Sequence, residues 1–173
     1  MNAEETREAL TKVLKDKKYL EEANLQLEDF GNSEDSIIAI ITTASLDNSM
    51  FEILSNLFIK GNVSNNMLHS SKGRLGDYQS KADLLYCLNM IDKKLYQDIN
   101  RIGNIRNIIA HSTSKKKFSD PEIFNLIKEF NTAQYENGTK SEQARDLYIF
   151  IFGTIKASLK MLSVLEWHCT KQI

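Results

Sequence analysis

Apolar residues recur along this chain every three or four positions, the spacing that gathers them on one side of an α-helix. From Glu4 to Asp16 the pattern is carried by Leu10, Val13 and Leu14, and from Lys17 to Phe30 by Leu20, Ala23, Leu27 and Phe30, with Gly31 ending the run. A long stretch rich in Ile and Leu follows Ser33 and extends to Ile59, with Glu34 and Asp35 in its first turn, where the helix dipole favours them. It is the expected central core helix. Residues 60–77 (KGNVSNNMLHSSKGRLGD) hold three glycines and a run of Asn and Ser, and predict a long polar loop or arm. Helical periodicity resumes over Tyr78–Met90, and Asp92 reads as the N-cap of a helix running to about His111. The Asp120-Pro121-Glu122 step starts a further helix to about Asn131, because proline at the first helical position lacks only an N–H that would have no partner there. From Ser141 the chain reads as helical almost to its end. There Leu147, Phe150, Ile151, Ile155, Leu159, Met161, Leu162, Leu165 and Trp167 cover more than one face, as in a buried or paired helix.

Seven Gly and one Pro in 173 residues leave too few turns for a β-sandwich or barrel. The expectation is therefore all-α: one domain over residues 1–173, a helical bundle of about seven helices. Hydrophobic residues at 42% and charged residues at 26% match folded globular chains rather than disordered ones. Lys and Arg number 22 against 23 Asp and Glu, a net charge of -1, which excludes nucleic-acid binding by bulk positive charge but leaves room for a local basic patch. No uninterrupted apolar run approaches the roughly 20 residues of a bilayer span, and no signal-peptide pattern follows the charged segment Met1–Glu8. A cytoplasmic protein with no membrane contact is expected. Cys87 and Cys169 lie far apart with no CxxC spacing, so neither a metal site nor a disulfide is expected, and no cofactor motif is present.

Two charges fall on apolar faces. At about 100° per residue, Asp47 lies in the stripe of Ile40, Ala44, Phe51, Leu54 and Phe58, and Arg106 lies on the face of Leu95, Ile99, Ile102, Ile105 and Ile109. A lone buried charge is costly, so the two are expected to form a structural ion pair, Asp47 with Arg106, between these helices. The other side of the second helix carries Asn100, Asn104, Asn107 and His111 in a single stripe, followed by Lys115, Lys116 and Lys117. Asn is a poor interior helix residue, and Lys or Glu would solvate a surface better. The bland reading is a solvated face ending in a histidine favoured by the helix C-terminus; the functional reading is a binding surface made of these seven residues.

The string RNIIAH resembles the motif of the HEPN superfamily of helical domains: an Arg, a polar residue, three further residues and a His, here Arg106, Asn107 and His111. Longer blocks, ALTKVLKDKKYLEEANLQLEDF and GRLGDYQSKADLLYCLNMIDKKLYQDINRIGNIRNIIAHS followed by FSDPEI, resemble the mannitol operon repressor family of small all-helical bacterial proteins. That resemblance implies a regulator of transcription. No segment fits a helix-turn-helix, and the Asn stripe lacks the cations that would hold a helix in a DNA groove. Regulation through another protein of the transcription or sugar-uptake machinery is therefore expected, in place of direct DNA binding. The HEPN side of the resemblance implies a metal-independent ribonuclease, with His111 as general base on a ribose 2′-OH, Arg106 stabilising the developing charge and Asn107 orienting the phosphate. Arg106 points about 140° away from His111 on an ideal helix, so such a site would have to be assembled across a homodimer. If Arg106 is tied to Asp47, the trio is scaffolding and the chain is not an enzyme. A third reading is an antitoxin-like protein-binding module docking through an apolar patch at Met161, Val164 and Trp167. His69 and His168 are expected to face solvent.

Overall fold

A computed structural model describes residue 30 and residues 33–69, 73–131 and 140–164. The expected helix Glu4–Asp16 and nearly all of Lys17–Phe30 lie outside the described residues. Within them are six α-helices and no strand: α1 (Asp35–Leu57), α2 (Asn62–Leu68), α3 (Tyr78–Cys87), α4 (Lys93–His111), α5 (Pro121–Lys128) and α6 (Ala144–Val164), the last entered through a 3₁₀ turn at Ser141–Gln143. The all-α expectation is met.

Helix α1 is the centre of the bundle, packing chiefly on α6 and α4, then on α3, with α2 folded back at its end. Its buried side is Ile38, Ala39, Thr42, Thr43, Leu46, Met50, Ile53 and Leu54. This corrects the stripe read from hydropathy, since Ile40 is 52% exposed and Ala44 lies on the same open side. The physical reason is the pair of threonines. Thr43 Oγ1 donates to the Ala39 carbonyl at 2.8 Å, and Thr42 Oγ1 lies 2.8 Å from both the Ile38 carbonyl and the Tyr148 hydroxyl. Once each hydroxyl closes on the turn behind it, the threonine enters the core at little cost. The Thr42 contact also fixes α6 against α1, and burial pushes the Tyr148 phenol far up from its ordinary value.

The helix ends follow local chemistry. Asp77 and Asp92 cap α3 and α4, accepting the amides of Ser80 at 2.9 Å and Leu95 at 2.8 Å. After α3 the chain turns through Asn89 at φ 55°, with Met90 N–H on the Leu85 carbonyl and Asn89 N–H on that of Tyr86, both 2.9 Å. That is a Schellman ending, with buried Met90 against buried Leu85.

The polar loop expected over residues 60–77 contains a helix. Leu68, 3% exposed, anchors α2 to the core. The chain then crosses back over the end of α2 at Gly73, whose N–H reaches the His69 carbonyl at 3.0 Å while Leu75 N–H reaches that of Met67 at 2.9 Å. A Cβ at position 73 would stand 2.2 Å from the Met67 oxygen, so only glycine closes this turn.

Counting uninterrupted apolar runs understates two elements. Helix α1 and the segment Ser141–Val164 are each long and apolar enough, by length and composition, to cross a bilayer; in this bundle their buried sides supply much of the core.

Candidate functional site

Helix α4 carries most of the singled-out residues, and its surroundings decide what each can do. Lys81 of α3, 2% exposed at its side chain, places Nζ 2.8 Å from Asp47 Oδ1 and 2.9 Å from the Gly76 carbonyl. The expected Asp47–Arg106 pair is thus replaced by Asp47–Lys81. Helix α3 packs on both α1 and α4, so its lysine reaches the carboxylate from the intervening position. Asp47 itself sits at the rim, with 31% of its side chain open to water.

Arg106 is half-buried and makes no ion pair among the described residues. Its charge bears on Tyr78, whose phenol is held well above its ordinary value by burial first, then by Tyr148 and Asp47, with Arg106 opposing. The Tyr78 hydroxyl donates to the Ile99 carbonyl at 2.9 Å, and its ring lies over Gly103, where a Cβ would come within 3.1 Å. Arg106 therefore belongs to the seam between α3 and α4.

The Asn stripe divides. Asn100 is half-buried: its amide bonds the Tyr96 hydroxyl, which in turn donates to Asp83 Oδ1 at 2.8 Å, while its own Oδ1 is buried with no partner. The hydrogen bond to Asp83 raises the Tyr96 phenol above its ordinary value, and the one from Asn100 opposes it. Tyr96 also stacks on Tyr86 with ring centroids 4.6 Å apart. Asn104, Asn107 and His111 lie exposed along the last two turns of α4.

The lysines that follow are not a uniform basic patch. Lys115 pairs with Glu34 at 2.6 Å and holds that carboxyl below its usual value, Lys116 pairs with Glu122 at 3.3 Å, and Lys117 uses its backbone N–H on Asp120 Oδ2 at 3.1 Å. The loop bearing them is pinned by Phe118, fully buried, stacked on Tyr148 at 4.2 Å and donating its N–H to Asp35 Oδ2 at 2.8 Å.

Sequence reasoning missed two buried charges, Lys81 and Asp98. Asp98 Oδ1 takes Arg101 Nη1 at 3.0 Å and both the backbone and side-chain N–H groups of Asn131 at 2.9 Å, tying the end of α5 to α4. The spacing of Asp98 and Arg101, three apart on one helix, was the available signal. Of the apolar patch expected at Met161, Val164 and Trp167, the first two are half-buried and Trp167 lies outside the described residues, as do His168 and Cys169. His69 is exposed beside the Phe51 ring, and Cys87 is exposed. Among the described residues no cluster of His, Cys, Asp and Glu could hold a metal ion.

The family model of the mannitol repressor, MtlR, matches this chain over residues 21–165. The chain belongs to the mannitol repressor family. Two solved structures share its fold. The MtlR–HPr complex from Escherichia coli is 17% identical, with a TM-score of 0.66, covering 80% of this chain and 98% of that one. YggD from Shigella flexneri 2a, described as a possible transcriptional regulator, is 16% identical, with a TM-score of 0.64, covering 79% and 96%. No curated protein matches by sequence. In this mannitol repressor family member the trio Arg106, Asn107 and His111 is split between two environments, the arginine in a helix seam and the other two on the surface.

Proposed function

We propose that this chain regulates transcription by contacting another protein, and that the partner belongs to the sugar-uptake system, as HPr does in the complex described for the Escherichia coli relative. The observation that carries this reading is the exposed ridge Asn104, Asn107 and His111, which ends at a loop held rigid by Phe118 and presents Lys115, Lys116 and Lys117 beside it. Amide and imidazole groups on a rigid helix lose little entropy when they exchange water for a partner's hydrogen bonds. Helix α4 packs against α1, α3, α5 and α6, so it does not protrude as a helix must to enter a DNA groove. Asn100 is left out of the contact set because the α3–α4 seam uses it.

Titration calorimetry of the purified chain with HPr tests the proposal. Binding that weakens at least roughly tenfold in a double Asn107→Ala, His111→Ala variant is the expected result, and nanomolar affinity for the operon's own promoter DNA at physiological salt would overturn it. The ribonuclease reading draws on one observation, that no carboxylate ties down Arg106. Against it stands the position of Arg106 toward Tyr78, on the other side of α4 from His111. Metal-free cleavage of generic RNA that disappears in His111→Ala would establish that reading; absence of cleavage, or equal cleavage in both proteins, removes it.

A further inference from the structure

Helices α1 and α6 start at the same end of the bundle, where Arg145 pairs with Asp35 at 3.3 Å, and they run in the same direction, since Thr42 meets Tyr148 further along both. Leu57, the last residue of α1, is as many residues past Asp35 as Trp167 is past Arg145, 22 in each case. At the helical rise of each residue, Val164 at the end of α6 therefore lies about 5 Å short of the level of Leu57. At that level the surface is apolar. Ile59, in the turn between α1 and α2, is 93% exposed, and Val63 in the first turn of α2 is 76% exposed. With Leu57, Phe58 and Met67 they line an open hollow of about 640 Å³. Leu57 lies about 60° from Thr42 around α1, so the hollow includes the side of that helix on which α6 packs. Large aliphatic side chains held open to water carry a hydration cost that a fitting apolar group would remove.

We infer that this hollow is the seat of Trp167, delivered by the segment that follows α6. Three residues past Val164 the chain can span up to about 10 Å. That covers the axial shortfall and most of an interhelical spacing of about 8–10 Å, before the length of the indole is counted. Trp167 is the one tryptophan in the chain, and an indole fills a hollow of this size where an aliphatic side chain would leave it largely open. The charges agree. Lys60 is the one charged residue lining the hollow, and Glu166 stands immediately before Trp167. This contact lies within one chain and stands apart from the partner surface proposed on α4.

Intrinsic fluorescence of the full chain tests the inference, because its single tryptophan is the residue in question. Its emission maximum should lie to the blue of the urea-unfolded protein, with little quenching by acrylamide. Val63→Glu should move the emission to the red and raise the quenching, with circular dichroism unchanged because position 63 is on the surface. Lys60→Glu should give a smaller red shift, and adding Glu166→Lys should reverse it, a rescue that a general loss of folding would not give. Solvent-like emission from the unsubstituted chain overturns the inference. So does blue emission that survives Val63→Glu, which would seat the indole elsewhere, and so does emission that moves to the blue only as protein concentration rises, which would give the hollow to a second copy.

Discussion

Replacing Asp47 by alanine strands a positive charge inside the bundle. The Lys81 ammonium is held by the Asp47 carboxylate at 2.8 Å and the Gly76 carbonyl at 2.9 Å, and the lysine side chain is 2% exposed while the carboxylate is 31% exposed. The two partners are therefore unequal. Removing Asp47 leaves a cation almost out of reach of water with a single neutral acceptor, a loss of about 3 kcal/mol, at the lower end of the range for breaking a buried pair because one side already touches solvent. Lys81→Met keeps the volume of the stem, returns Asp47 to water it partly meets already, and leaves the Gly76 carbonyl without a donor, a loss of about 1 kcal/mol. The double variant should resemble Lys81→Met, giving a coupling of about 3 kcal/mol between the positions. Urea unfolding followed by far-ultraviolet circular dichroism measures all four proteins, and for a chain of this length each kcal/mol lowers the melting temperature by about 2–4 °C. If Asp47→Ala proves as mild as Lys81→Met, or the two losses simply add, the pair does not hold α1 to α3 in the way argued.

Gly73→Ala should cost at least about 2 kcal/mol, since its Cβ would meet backbone oxygen rather than a movable side chain; hydrogen exchange should localise the loss to α2. At Asn89, with φ 55°, glycine should raise stability by about 0.5 kcal/mol and valine should lower it by more than 1 kcal/mol, so thermal midpoints should run Gly above Asn above Val. The Asp77 carboxyl is held below its ordinary value by bonds from the Ser80 hydroxyl and amide. A carboxyl lowered in the folded state contributes stability that is present above its unfolded value near 4 and lost as pH falls through the folded one. Asp77→Ala should accordingly flatten the acid limb of the stability curve below about pH 4 while reducing the plateau above it; an unchanged acid limb would show that the cap carries no such linkage.

What the sequence makes legible here is what depends on neighbours along the chain. Asp92 and the amide three residues on form a closed local unit, so both ends of α4 read correctly, and Pro121 marks the start of α5 for the same reason. The buried face of α1 is not local. It turns on Thr42 meeting Tyr148 over a separation of 106 residues, and a scale that counts threonine as polar rotates the face toward Ile40. Helix α2 escapes because Asn and Ser are weak helix formers and one residue, Leu68, holds it down. The ion pair fails for a related reason. Angular position identifies Asp47 as a carboxylate near the core, but partner choice depends on which cation stands closest in space, and Lys81 sits on a helix whose packing no periodicity reveals.

The same distinction decides how far the polar stripe on α4 can act as a recognition surface. Residues 100, 104, 107 and 111 are equivalent by spacing, yet Tyr96 and Asp83 draw the first into a hydrogen-bonded seam while the others stay open. Of this stripe, a partner docking as proposed would find open amide and imidazole groups in the last two turns of α4 and not at Asn100. In the loop after α4 the Glu34 and Glu122 carboxylates already neutralise Lys115 and Lys116. Two of the three lysine charges at this end are thus paired, and in the proposed contact the shape and hydrogen-bonding geometry of the Asn107 and His111 ridge would carry more of the recognition than bulk charge. Such a contact depends only weakly on salt, whereas phosphate-driven binding falls steeply with it. The salt slope of partner binding therefore separates the two mechanisms on the same protein, without any substitution.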